Sequence, residues 1–368
     1  MLCCPVTDFS SAAPATHVHR RERMITRKDI AQKLGVSVSV VSRALNNSGY
    51  VDKKKKEQII RLAKEMGYTK EPVALSNGGG SHHQLLFYTR DLYNPFYHEV
   101  YEGILDSAMA NGFSAMFYYA SDYDMIPRIS TDGIIFSSEQ LANNYLNDIG
   151  RNYFLPAVTC SYGYDYLFPR SLPMVDCDLT VGTRMVIDYL YQRGHQKIAM
   201  VSPDDFNSFT IRSNIWKTYM QQITGDHVID YYFNLQEDVP FHKESKVLNK
   251  VQDNVKKGII GGKRFIESGC DATAVICFND EVSIGFYIAV TEMGLHIPDD
   301  VSLIGFDYSY MIRRFSRRIT TLNMNPFEQG RQAASLLIEV IKGRPYERKL
   351  SIPLQIIEGD TVGAPKIV

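Results

Sequence analysis

Residues 25–46, ITRKDIAQKLGVSVSVVSRALN, leave the chain few choices locally. Thr26 is placed to cap a helix, and Asp29 three positions on completes a capping box. Ile30, Ala31 and Leu34 share one face, and Gly35 supplies the positive-φ residue that a sharp turn needs. Ser37 caps a second helix. Val41, Ala44 and Leu45 turn inward on it, while Val38, Ser39, Ser42 and Arg43 include side chains free to point outward. A third helix is predicted from a cap at Asp52 to Met66, with Ile59, Ile60, Leu62, Ala63 and Met66 at the 3.6-residue period. Two short helices across a tight turn, closed by a third, form one supersecondary unit.

This string, followed by NNSGYVDKKKKEQIIRLAKEMGY, resembles the helix-turn-helix head of the lac/gal repressor family almost position for position. A generic helical hairpin shares the apolar spacing. It does not share Ser37-x-x-x-x-Ser42-Arg43, Asn46-Asn47 and the closing Gly67-Tyr68. The resemblance implies that Val38, Ser39 and Arg43 read base edges in the major groove. Arg43 would give two bonds to guanine, and Val38 an apolar contact such as a thymine methyl. Arg27 and the lysine run that begins with Lys53 and Lys54 would meet phosphates. The alternative for Val38 is a place in the core.

Charge points the same way. Residues 24–70 carry eleven Lys/Arg against four Asp/Glu, a net of +7, and residues 71–368 carry −9 within a total of −1. A compact basic head on an acidic body fits nucleic-acid binding by the head alone. The six cysteines show neither disulfide-scaffold density nor a Cys-x-x-Cys pair, so Cys160 and Cys277, in apolar runs, read as buried and reduced. No apolar run approaches the roughly 20 residues that span a bilayer. Residues 1–23 lack the apolar core of a secretory signal, so a cytoplasmic protein is expected. That Ser/Ala/Pro-rich extension has no period and reads as disordered, with Met24 as a second possible start. Cys3, Cys4, His17 and His19 within it match no zinc spacing.

At 368 residues two or three domains are expected. Residues 71–84, EPVALSNGGGSHHQ, read as a linker. In the family this segment is a hinge helix whose leucine wedges into the minor groove. Here Asn77 holds that position, the nearest leucine is Leu75, and three glycines oppose a helix. Beyond Leu85, short apolar runs alternate with amphipathic stretches, the rhythm of a doubly wound parallel sheet. Only residues 120–132, Pro127 among them, link two of these strands, too few for a full crossover helix. The segments DYLYQRGHQKIAMV, FNDEVSIGFYIAVTEMGLHIPDDVSLIGFD and ITTLNMNPFEQG resemble the family's effector core, which is similar to periplasmic sugar-binding proteins. The expected fold class is therefore α/β: a small all-α head, then two parallel-sheet subdomains. The boundaries are 24–70 for the head, 85–178 with 324–343 for subdomain 1, and 179–323 with 344–368 for subdomain 2. The tail has no apolar heptad for a tetramerising coiled coil, so a homodimer is expected.

Ligands of open α/β sheets bind beyond the carboxyl ends of the strands. The polar and aromatic residues there are Tyr93, Asn94 and Phe96, then Ser161, Asn279, Asp280 and Asp307. Arg212 matches the effector-contacting arginine that the resemblance implies. Such groups suit a sugar or sugar phosphate. Asn279-Asp280 has an alternative as a helix N-cap, and Asp307 as a turn residue. No catalytic set is present. GIIGGKR (258–264) lacks the spacing, the Ser/Thr and the preceding strand of a phosphate loop. No enzyme activity and no cofactor are expected. The expected function is a DNA-binding transcriptional regulator, a repressor, whose hold on double-stranded operator DNA responds to a small effector. Control by a nucleobase or protein co-regulator, and a sugar-binding module with no regulatory role, are the alternatives.

Overall fold

The computed structural model describes residues 25–46, 51–66, 68, 82–120, 126, 129–148, 155–163, 172–207, 210–234 and 254–366. The N-terminal extension, most of the linker with Leu75, and most of the 120–132 link lie outside the described residues.

The head contains α1 (Arg27–Leu34), α2 (Val38–Asn46) and α3 (Lys53–Glu65). Its starts and stops follow from side chains. Thr26 and Asp29 form the reciprocal capping box, and Gly35 closes α1 at φ 63°. Ser37 Oγ accepts from the Val40 N–H at 3.4 Å, and Asp52 Oδ1 from the Lys55 N–H at 3.1 Å. Ile30, Val41, Ala44, Leu45, Ile59 and Ala63 are buried together. Three orphan donor groups are thereby satisfied at the helix starts, each such cap being worth about 1 kcal/mol.

The body is two sheets. The first subdomain opens with β1 (Gln84–Thr89), α4 (Pro95–Ala110), β2 (Ser114–Tyr119), β3 (Gly133–Phe136), α5 (Glu139–Asp148), β4 (Ala157–Ser161) and β5 (Met174–Asp176). The second holds α6 (Leu179–Gln192), β6 (Ile198–Ser202), α7 (Ile211–Thr224), β7 (Tyr232–Asn234), α8 (Asn254–Glu267) and β8 (Ala274–Cys277). It continues through α9 (Asp280–Glu292), β9 (Ser302–Asp307), α10 (Tyr310–Arg314) and β10 (Thr320–Asn323). The chain ends with α11 (Pro326–Ile341), β11 (Lys349–Ser351) and β12 (Gln355–Ile357). Strand orders are β11-β5-β4-β3-β1-β2 and β12-β10-β9-β8-β6-β7. Every pairing is parallel except β10 with β12. The chain passes between the sheets three times: after β5, after β10 and after β11.

The last passage corrects one boundary. The second subdomain was expected to resume at residue 344, yet β11 pairs with β5 (Lys349 with Met174, Ser351 with Asp176) and belongs to the first sheet. The ion pair of Lys349 Nζ with the buried Asp176 carboxylate at 2.6 Å fixes it there. Three residues are too few to carry a register signal of their own.

In each subdomain two helices cross at a pair of glycines. A Cβ on Gly103 of α4 would lie 1.9 Å from the Phe327 carbonyl oxygen, and one on Gly330 of α11 1.8 Å from that of Val100. Gly258 on α8 and Gly285 on α9 repeat the arrangement. α11, last in the first subdomain's helical layer, is thus drawn onto α4, which starts at the cleft. Gly330→Ala is expected to lower stability by about 1–3 kcal/mol or more, because backbone atoms and not flexible side chains must move. Calorimetry would register a fall in Tm of several degrees. An unchanged Tm would mean that the helices separate freely.

Candidate nucleic-acid interface and effector cleft

On the head, the start of α2 is a solvent-facing surface. Val38 is 45% exposed, which removes the core alternative, and Ser39 and Arg43 are exposed beside it. Ser39 Oγ shares a hydrogen bond with Ser37 Oγ at 2.9 Å. Arg43 Nε donates to the Ser39 carbonyl at 3.3 Å, which lays the guanidinium along the helix toward its N-terminal end. Lys53, Lys54 and Lys55 are exposed in the first turn of α3, where no acid accompanies them. Arg27 is different. Its Nε donates to Tyr68 Oη (2.7 Å) and its Nη1 to Ser42 Oγ (3.1 Å), so it ties α1 to α2 and to Tyr68 beyond α3. Two of its donors thus hold the head together, a structural role beside the phosphate contact expected from the sequence.

In the body, the cleft end of the second sheet carries three polar groups with no bond among the described residues. Thr210 Oγ1, at the N-cap position of α7, and Arg212 Nε are buried and unpartnered. The Asp307 carboxylate, 8% exposed, receives no donor from the described residues. Arg212 is held by aromatic faces, its guanidinium 4.1 Å from the centre of the Phe278 ring and 5.0 Å from that of Phe306, and it donates to the Phe278 carbonyl. Buried polar groups without partners are rare and call for an explanation. Here they converge with aromatic surface, the composition of a small-molecule site.

The other residues singled out from sequence fall into different roles. Asn279 caps α9, its side chain accepting from the Val282 N–H at 3.0 Å, and is therefore committed. Asp280 is 1% exposed, with one oxygen on the Ser309 N–H (2.6 Å) and the other on Thr321 Oγ1 (2.8 Å). Both correct the ligand reading, because their acceptors are used inside the fold. Asn94 likewise caps α4 through the Phe96 N–H at 3.0 Å, and Phe96 is a core ring against Tyr97 and Tyr162. Tyr93 is 42% exposed at the cleft edge. Ser161 is fully buried, and its Oγ has no hydrogen bond among the described residues.

Sequence reasoning missed Glu99, Thr210, Tyr97 and Arg313. A signal existed for Glu99: it sits on the buried stripe of α4 with Phe96, Val100 and Gly103, where an unpaired carboxylate is costly. Tyr97 faces Asp91, Tyr162 and Asp307, and burial holds its phenol far above the ordinary range.

Asp307 also carries backbone strain. Its φ is 105° and that of Tyr308 is 58°, two consecutive non-glycine residues in the left-handed half of the map. Burial, opposed by Arg212 and reinforced by Glu99, pushes its carboxyl up to about 6. An unfolded aspartate titrates near 4, so the favourable contribution is complete below that value and is lost as pH rises through about 6. Asp307→Asn removes the penalty. Its Tm should exceed wild type at pH 7.5, by up to about 3 kcal/mol of stability, and the gap should close near pH 4. A lower Tm for the variant at pH 7.5 would mean that attraction to Arg212 outweighs desolvation.

Comparison with known proteins bears on both sites. Residues 26–71 match the family described as bacterial regulatory proteins, lacI family, and residues 187–362 match the periplasmic binding protein-like domain. The HTH-type transcriptional repressor PurR of Histophilus somni (strain 129Pt) is 25% identical over 339 residues, 88% of this chain and 95% of that one. The lac repressor dimer bound to operator and the anti-inducer ONPF superimposes with a TM-score of 0.61 at 19% identity, covering 93% of this chain and all of the other. A LacI family regulator from Enterococcus faecium with bound ribose gives 0.59 at 23% identity, over 77% of this chain and all of the other. Among the described residues no helix is long and apolar enough to cross a membrane. A head matched by one model, a body matched by the other, and relatives aligned over nearly their full length leave one conclusion: the chain belongs to the lacI family of DNA-binding transcriptional regulators.

Proposed function

We propose that this regulator is a cytoplasmic repressor that binds a near-palindromic operator as a homodimer and answers to a small hydroxyl-rich effector, a sugar or sugar phosphate, held between its two subdomains. The observation that carries the DNA half is the exposed trio Val38, Ser39 and Arg43 at the start of a well-capped α2. Short side chains there let the helix approach the groove, and Arg43 adds a donor fork for guanine. The lysines of α3 neutralise phosphates and fix the register. Support for the effector half comes from Thr210, Arg212 and Asp307, whose unpaired donors and acceptors would match hydroxyls, with Phe278 and Phe306 as apolar walls. The ribose in the Enterococcus relative supports the sugar class. Closure of the subdomains around the ligand would respace the two heads, coupling the sites.

One titration series tests both halves. Operator affinity is measured for wild type, Arg43→Ala and Arg212→Ala, with random DNA as competitor and a sugar panel as ligand. Arg43→Ala should lose about 1–3 kcal/mol of discrimination and keep its ligand response. Arg212→Ala should keep wild-type discrimination and bind ligand at least roughly tenfold more weakly, since a buried partner is left unpaired. Equal operator preference in Arg43→Ala, or an unaltered ligand response in Arg212→Ala, would remove that residue from its assigned role.

A further inference from the structure

Glu99 lies on α4 in the first subdomain, and its side chain is only 7% exposed. A buried carboxylate is costly unless partnered. Both of its partners come from the second subdomain. Oε1 accepts from the Tyr310 backbone N–H at 2.6 Å, and Oε2 from Arg313 Nη1 at 3.1 Å. Tyr310 and Arg313 belong to α10, immediately after the strained Asp307–Tyr308 turn. Arg313 reaches back to that turn, donating to the Tyr308 carbonyl at 2.6 Å with its guanidinium 5.4 Å from the centre of the Tyr308 ring.

The turn is therefore held from two sides. Asp280 grips the Ser309 N–H from within the same subdomain, and Glu99 grips the next amide from across the cleft. Consecutive left-handed non-glycine residues persist only where their surroundings over-determine them. Opening the cleft removes the Glu99 bonds and leaves those of Asp280. Bonds present in one arrangement of two bodies and absent in the other bias the equilibrium between them. We propose that Glu99 is a positioning residue of the cleft: with Tyr310 and Arg313 it forms a latch that closes the two subdomains without a ligand and sets the turn presenting Asp307. The inference rests on reading the cleft as the effector site, but the latch requires no effector.

Amide hydrogen exchange on the full-length chain, with no ligand added, tests it. In Glu99→Ala and in Arg313→Ala, residues 308–313 should exchange roughly tenfold faster than in wild type, as expected for loss of a charge-assisted bond. The opposite wall, residues 91–98, should speed up with them. Wild-type exchange in β1 and β6 shows that both subdomains remain folded. Arg313, whose side chain is 38% exposed, can be truncated without opening the core, so it decides alone if Glu99→Ala unfolds. Wild-type exchange at 308–313, or a change there that residues 91–98 do not share, overturns the latch. Failure of the sugar reading would show separately, as a wild-type protein that no sugar stabilises, and would leave this contrast in exchange intact.

Discussion

The cleft depends on the carboxylate of Asp280. It joins three elements at one point: the first turn of α9, the turn after β9 through Ser309, and β10 through Thr321. Burial and the nearby Asp307 charge push its carboxyl well above the ordinary range. Its two short bonds hold the end of β9 in the left-handed conformation that presents Asp307 to the cleft. Gly305 makes room for this. A Cβ there would come 2.4 Å from Ser283 Oγ and 3.3 Å from Asp280 Oδ1. The strained Asp307–Tyr308 turn and the desolvated Asp307 are both costs, and they persist because the surrounding bonds over-determine the turn.

Around that point the body is two sheets, each backed by a tightly crossed pair of helices. The glycine crossings of α4 with α11 and of α8 with α9 make each helical layer stiff, because close backbone contact leaves no slack for sliding. Three passages of chain join the units, and the Glu99 bonds span the opening on the cleft side. Relative motion is then concentrated in the connections, the geometry of hinge closure. The head is separately stabilised by its caps and by the Arg27 bonds to Ser42 and Tyr68, so it can move as a unit.

What could be read from the sequence was whatever depends on neighbours along the chain. Thr26 with Asp29, Gly35 and the 3.6-residue spacing of α3 specify the head locally, and its caps stand where the residue types placed them. The parallel strands were legible as short apolar runs, since both faces are covered. β11 was not: Lys349–Ser351 is too short to show a period, and its partner lies far back at β5. The uses of the polar residues that follow the strands were not legible from residue type. Asn94, Asn279 and Asp280 follow strands, as ligand residues do, but the same residue types cap helices, and only the fold shows which use each has. Glu99 left a trace, a carboxylate on the buried stripe of α4, but its partners, like the role of Thr210, became visible only when distant segments were brought together.

The central claim is that α2 of this head reads DNA sequence in a two-fold symmetric assembly. In vitro selection of the full-length protein against random duplex DNA addresses it most directly. The account predicts enrichment of a pseudo-palindrome, with two inverted half-sites at a fixed spacing, because symmetric heads impose symmetric sites. Recovery of no common motif, or of a single unpaired half-site, would contradict it.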